Sequence, residues 1–167
     1  FRIIESNQKN KLQSLFKKES EDKYKHLNFW MPPSRWTATI GPNYYGDYIN
    51  SAMYKKSGTG SNKAEWTTQI QIPGFYEVFV YTSELPMMGW WRRGGEEKKT
   101  QYYTVKHDDG EEEISVETGR GRQGWMTLGS FYFSQGEAKI TLSDKGSESN
   151  QIIFADAVKW VYTNNNK

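Results

Sequence analysis

The chain contains no cysteine, which excludes disulfides and thiolate metal sites. Because many exported bacterial domains manage without disulfides, that absence leaves the compartment open. No hydrophobic run approaches the roughly 20 residues that a membrane-spanning helix requires. Neither sign of charge dominates: 22 Lys and Arg stand against 20 Asp and Glu. There is therefore no overall field to recruit DNA, RNA or an anionic membrane, and no nucleic-acid partner is expected. The inventory for catalysis is thin, with His26 in a polar stretch, His107 beside a turn, and no serine in a recognisable nucleophile setting. Ala and Leu are scarce too, which favours strands over helices.

Aromatic residues are abundant, at 16% of the chain with 7 Trp and 11 Tyr. A small sandwich has limited room for rings, so several are expected at the surface, where flat rings stack on sugars or on a partner. The 167 residues fit one domain with an extension and can bury roughly two thirds of their unfolded surface. A first residue that is Phe, with no signal peptide ahead of it, reads as a mature or excised piece of a longer product.

Residues 1–31 read as a polar extension or linker, in which Leu12, Leu15 and Phe16 fall at the spacing of a short helix. Pro32-Pro33 forbids helix continuation and marks the entry to a domain over 32–163, leaving 164–167 as a frayed end. Period two begins with Trp36, Ala38 and Ile40 and returns in Trp66, Thr68, Ile70 and Ile72, then in Tyr76, Val78 and Val80. Between the first two runs, period two is also read after a turn at Gly41-Pro42 in an aromatic segment, Tyr44 to Tyr48, and a Ser57 to Asn62 cluster reads as a flexible loop. His107-Asp108-Asp109-Gly110 between alternating runs signals a hairpin. Strands over Trp125 to Phe133, Ala138 to Leu142 and Ile152 to Tyr162 bring the expectation to about eight. Their spacing is that of an all-β, antiparallel β-sandwich of jelly-roll type.

Ser83 to Thr100 fits no period and carries Trp90, Trp91, Arg92 and Arg93 between glycines. Two adjacent tryptophans there cannot easily both be buried, and arginines offer planar donors to hydroxyls or carboxylates. The set suits a sugar, with the rings on a pyranose and an arginine on an acidic substituent. It suits a protein interface equally well, and the bland alternative is a loop folded over the sandwich edge. Tyr44 and the basic loop holding Arg120 and Arg122 complete the ligand-binding candidates. Asp156 falls on an apolar face and needs a hydrogen-bonding partner, so it reads as structural, as do Trp125 and Trp160 at strand positions. The carboxylates around Asp108, Asp109 and Glu111 to Glu113 read as solvated charge rather than an acid/base pair, and Asp144 carries no spaced calcium loop. No catalytic residue, metal or cofactor is assigned.

The second half of the chain, with Tyr103-Thr104-Val105, Gly124-Trp125, Leu128-Gly129, Phe131-Tyr132-Phe133 and Ala155-Asp156-Ala157-Val158, resembles the golvesin C-terminal-like domain found at the ends of xanthan lyase-like proteins. Tyr45-Gly46-Asp47-Tyr48 and Gly74-Phe75-Tyr76-Glu77-Val78 carry the resemblance into the first half, while Glu117-Thr118 departs from the family's Asn-Gln pair. The resemblance implies a non-catalytic, carbohydrate-binding-like module of an exported or cell-envelope bacterial protein, holding a larger parent on a polysaccharide. The alternatives are an interaction domain that binds an envelope protein and, third, part of a polysaccharide lyase.

Overall fold

The computed structural model describes residues 33–83, 99–119, 121–149 and 151–163. The expected helix at Leu12 to Phe16 and the Trp90 to Arg93 segment lie outside them. Among the described residues there are ten strands and no helix. They are β1 (Thr37–Ile40), β2 (Ser51–Lys56), β3 (Lys63–Ile70), β4 (Gly74–Thr82), β5 (Lys99–His107), β6 (Gly110–Thr118), β7 (Gly124–Phe133), β8 (Gly136–Gly146), β9 (Ile152–Ala155) and β10 (Val158–Thr163).

Alternation decides the faces. On β4, Tyr76, Val78 and Val80 point inward while Phe75 and Glu77 face water; on β8, Ala138, Ile140 and Leu142 do the same work. One sheet runs β3-β8-β5-β6 and two others run β10-β4-β7 and β1-β2-β9, every ladder between named strands being antiparallel. The last two sheets are joined by the chain itself, because β9 leads into β10 through Asp156-Ala157 and the Tyr81 N–H donates to the Ala157 carbonyl at 2.8 Å. Tyr103, Val105, Ile140 and Leu142 from the first sheet meet Val78, Val80, Phe131 and Ile153 from the other layer in one apolar core. The antiparallel sandwich expected from the spacing is therefore the fold.

A buried glutamine stitches the layers. With its amide turned to the orientation that satisfies both ends, Gln101 of β5 accepts from the Phe154 N–H at 3.0 Å and donates to the Phe154 carbonyl at 3.2 Å, so that a side chain completes the backbone pairing of β9. The Asp-Gly hairpin also forms, with Asp108 and Asp109 as the two loop residues and Gly110 in register with His107. Gly110 takes φ 130°, a region that a side chain disfavours.

Several local expectations are corrected. Ala38, Ile40 and Ile72 are exposed rather than inward, since β1 is an edge strand and β3 ends at Ile70. The single last strand is two, broken at Asp156-Ala157, with its halves in different sheets. A strand absent from the periodicity reading, β2, lies between β1 and β9 and buries Lys55.

The Ser57 to Asn62 loop is held rather than free. It wraps the Asp144 carboxylate, which accepts from the Gly60 N–H at 2.7 Å, the Asn62 N–H at 3.4 Å and Asn62 Nδ2 at 3.1 Å, and which pairs with Lys55. The Gly58 N–H donates to the Asp144 carbonyl at 2.7 Å and the Asp144 N–H to the Asn62 carbonyl at 2.9 Å. Gly58 is required by closeness, because a Cβ there would stand 2.4 Å from Asp144 Oδ2. Gly58→Ala is expected to cost roughly 1–3 kcal/mol, as forced overpacking does, and a urea unfolding curve measures it.

Candidate functional site

The connection from β1 to β2 is a ten-residue loop, 41–50, closed by the Gly41 N–H donating to the Asn50 carbonyl at 3.0 Å. Gly46 lets the loop fold on itself, since a Cβ there would come within 2.5 Å of the Ile49 carbonyl oxygen. The neighbours Tyr44 and Tyr45 part company. Tyr44, 2% exposed, packs its ring 6.0 Å from Phe154 and anchors the base of the loop. Tyr45 is 50% exposed, and its N–H donates to both oxygens of Asp156, at 3.3 and 3.2 Å.

Asp156 fills the break between β9 and β10, where its carboxylate also accepts from the Ser83 hydroxyl at 2.7 Å. Its backbone carbonyl accepts from Trp66 Nε1 at 3.0 Å. Burial raises its pKa to about 6, although the bonds from Ser83 and Tyr45 work in the opposite direction. This one side chain therefore fixes the loop backbone that presents Tyr45, the chain at Ser83 and the turn into β10.

Above Asp156 the rings of Tyr45, Tyr81 and Trp125 form a triad. Tyr45 lies 5.0 Å edge-on from Trp125 and 5.6 Å from Tyr81, and Tyr81 lies 5.4 Å edge-on from Trp125. Pairing explains why they meet, because Tyr81 stands in register with Trp125, and Lys159 with Phe79, on the outer face of β10-β4-β7. Lys159 Nζ lies 4.2 Å from the centre of the Trp125 ring. The loop also exposes Tyr48, at 99%, and Ile49, and Ile40 at the end of β1 is exposed beside it in sequence. Gln123 Nε2 donates to the Asn43 carbonyl at 2.6 Å and ties the β6–β7 connection to the loop.

The sequence-based candidates are partly regrouped by this geometry. Trp90, Trp91, Arg92, Arg93 and Arg120 lie outside the described residues. Tyr44, expected as a ligand contact, is a buried anchor instead, and its hydroxyl is pushed above the usual tyrosine value chiefly by burial. Arg122 pairs with Glu117 at 2.8 Å near the platform's edge. Trp160, in register with Val78, packs against the core, and Asp156 accepts from the Ser83 hydroxyl and the Tyr45 N–H. Trp125 belongs to the outer face rather than the core.

Tyr45, Tyr81 and Lys159 were not singled out from sequence. Phe79 and Tyr81, opposite the Tyr76, Val78 and Val80 face, are a sign in the sequence that both faces of β4 are covered, but Trp125, the partner that gives the outer face its meaning, comes from the distant strand β7. Among the described residues no group of three or more His, Asp and Glu is placed to hold a metal. Nor is any described helix long and apolar enough to cross a membrane.

The chain is similar in fold to the Paenibacillus xanthan lyase, with 21% identity and a TM-score of 0.58 over 78% of this chain and 11% of the lyase. It is also similar to a Podospora anserina β-(1,4)-mannanase described as GH26-CBM35, with 10% identity and a TM-score of 0.51 over 80% of this chain and 27% of the mannanase. In both cases the chain spans a minor part of the other protein's length. No curated protein matches it. Residues 26–162 match the family model of the Golvesin C-terminal domain, most of the chain in one stretch, and the chain belongs to that family.

Proposed function

We propose that this is a non-catalytic, carbohydrate-binding-like module that holds a larger exported or cell-envelope bacterial protein on a polysaccharide. In this reading residues 32–163 are the binding domain, 1–31 the link to the rest of the parent and 164–167 a loose end, and the working compartment is extracellular, periplasmic or at the cell surface. The observation that carries it is the half-exposed ring of Tyr45, packed against Trp125 and Tyr81 and held through its backbone N–H by Asp156, with the exposed Tyr48 three residues along the same loop. Apolar rings held rigidly at a surface lose little entropy on stacking against a pyranose, which is why such a site suits sugar. The xanthan lyase and the mannanase that share the fold are named for polysaccharides and agree with this reading.

Catalysis has less support. Asp156 is buried and engaged by Ser83 and Tyr45, and Asp108 is bonded to Ser134 at a hairpin tip. The alternative, an interaction domain for an envelope protein, is favoured by Phe75 and Tyr132, exposed and edge-on at 5.4 Å on the same sheet face, with Val161 also exposed on that face.

Affinity gels carrying a panel of plant and bacterial polysaccharides test the proposal. Retardation of the chain is expected, and Tyr45→Ala with Tyr48→Ala should weaken it by roughly tenfold or more while the unfolding curve is kept. A parallel Trp90→Ala, Trp91→Ala variant asks whether the tryptophan segment shares in binding. Loss only in that second variant would move the site off the platform; no retardation by any gel would replace the reading with protein docking.

A further inference from the structure

The aromatic face carries a charge to which no described residue gives a counter-ion. Lys159 projects from β10 opposite Phe79, and its Nζ lies 4.2 Å from the Trp125 ring centre and 4.8 Å from that of Phe79. An ammonium held against two ring faces is fixed in position instead of sweeping through water. The ion pairs of the described residues are Lys55 with Asp144, Arg122 with Glu117 and Lys139 with Glu65, and Lys159 belongs to none of them. Glu77, the carboxylate on the same face of β4, stands in register with Val161 instead. Arg122, on the β6–β7 connection, pairs with Glu117 at 2.8 Å.

Tyr45 and Lys159 therefore flank one ring, Trp125, the first half-exposed and the second positively charged. A neutral sugar seated there would offer only hydroxyls and would take water from an ammonium without supplying an anion. A sugar with a carboxylate on its ring supplies one, and a compact ammonium accepts it without the planar geometry that an arginine demands.

We infer that the site takes an acidic glycan, in which a uronate-type ring stacks on Tyr45 and its carboxylate meets Lys159. This rests on the glycan-binding reading above and narrows it to a substrate class. The experiment compares retardation of the whole chain in gels of polygalacturonate and of neutral galactomannan, at low and at high salt, for the parent chain and for Lys159→Gln and Lys159→Arg. The expected result is preference for polygalacturonate that declines with salt, is lost by roughly tenfold in Lys159→Gln and is largely kept in Lys159→Arg. Urea curves for both variants separate a charge effect from loss of fold. Equal retention in both gels, or polygalacturonate binding untouched by Lys159→Gln, overturns the acidic assignment while leaving the module a glycan binder. Retention in neither gel overturns the acidic assignment, and it overturns the broader reading only if the full polysaccharide panel also fails.

Discussion

Lys55→Met is expected to cost about 3–5 kcal/mol of folding stability, the range for removing one partner of a buried ion pair. Lys55 and Asp144 are 2% and 0% exposed, so the carboxylate left behind has no water to turn to. In the native chain, burial opposes ionisation of Asp144. The hydrogen bonds from Lys55 and Asn62, the charge of Lys55 and the Gly60 N–H outweigh it and hold its pKa below the ordinary carboxylate value. Without Lys55 the burial contribution stands against three weaker donors on Gly60 and Asn62, and the carboxyl either stays charged at high cost or takes up a proton. Lys55 Nζ also lies 6.0 Å from the centre of the Trp36 ring, and methionine can still fill the space of the lysine stem.

The double variant Lys55→Met, Asp144→Asn is the sharper half of this experiment. Asparagine keeps an acceptor for the Gly60 N–H but carries no charge, so the pair of substitutions should be less destabilising than Lys55→Met alone. Urea unfolding of the two single variants and the double at pH 7 measures the coupling. A single Lys55→Met variant within about 1 kcal/mol of the parent would show that the pair is solvated in solution and that the Ser57 to Asn62 loop does not depend on it.

The same residues explain which parts of the fold were legible in the sequence. β3, β4, β5 and β8 alternate apolar and polar residues because one face of each meets the core, and that period survives in sequence. β2 does not alternate. Its buried positions are Ala52 and Lys55, one too small and one too polar to register as core, and only the distant Asp144 makes a buried lysine sensible. The Ser57 to Asn62 cluster has the composition of a flexible loop, and nothing local says that its N–H groups converge on a carboxylate more than 80 residues away. Asp156 was legible as a carboxylate in apolar company that had to be bonded. The break in the strand around it was not, because Phe154, Val158 and Trp160 keep period two across a chain that changes sheets. The platform illustrates the same limit, since Tyr45, Tyr81, Trp125 and Lys159 come from four separate elements whose pairing decides their meeting.

The second large effect is a pH dependence that belongs to Asp156. Its folded pKa is about 6, above the 3.8 of a free aspartate, and the first cause is burial. Between those values the native state holds more protons than the unfolded state, so stability falls as pH rises through the window. Well below pH 4 the group is protonated in both states and contributes no difference; well above pH 6 the native state bears the charge at a cost of about 3 kcal/mol. Asp144 runs the other way, its contribution being present above the ordinary carboxylate pKa and lost only in stronger acid.

Because Asp144 is common to both chains, the informative quantity is the stability of Asp156→Asn minus that of the parent. That difference should grow by about 2.5 kcal/mol between pH 4 and pH 7.5, followed by urea unfolding at each pH. Asparagine retains an acceptor for the Tyr45 N–H, and the Ser83 hydroxyl can turn to accept from its amide, so the pin on the loop is kept while the charge is removed. Asp156→Ala removes both, and it should release Tyr45 and weaken binding at the platform even where the fold persists. A difference that stays constant with pH would mean that Asp156 is already solvated through the Tyr45 loop. The loop would then be open far more often than its hydrogen bonds imply, and the rigid presentation of Tyr45 on which the binding reading depends would fail with it.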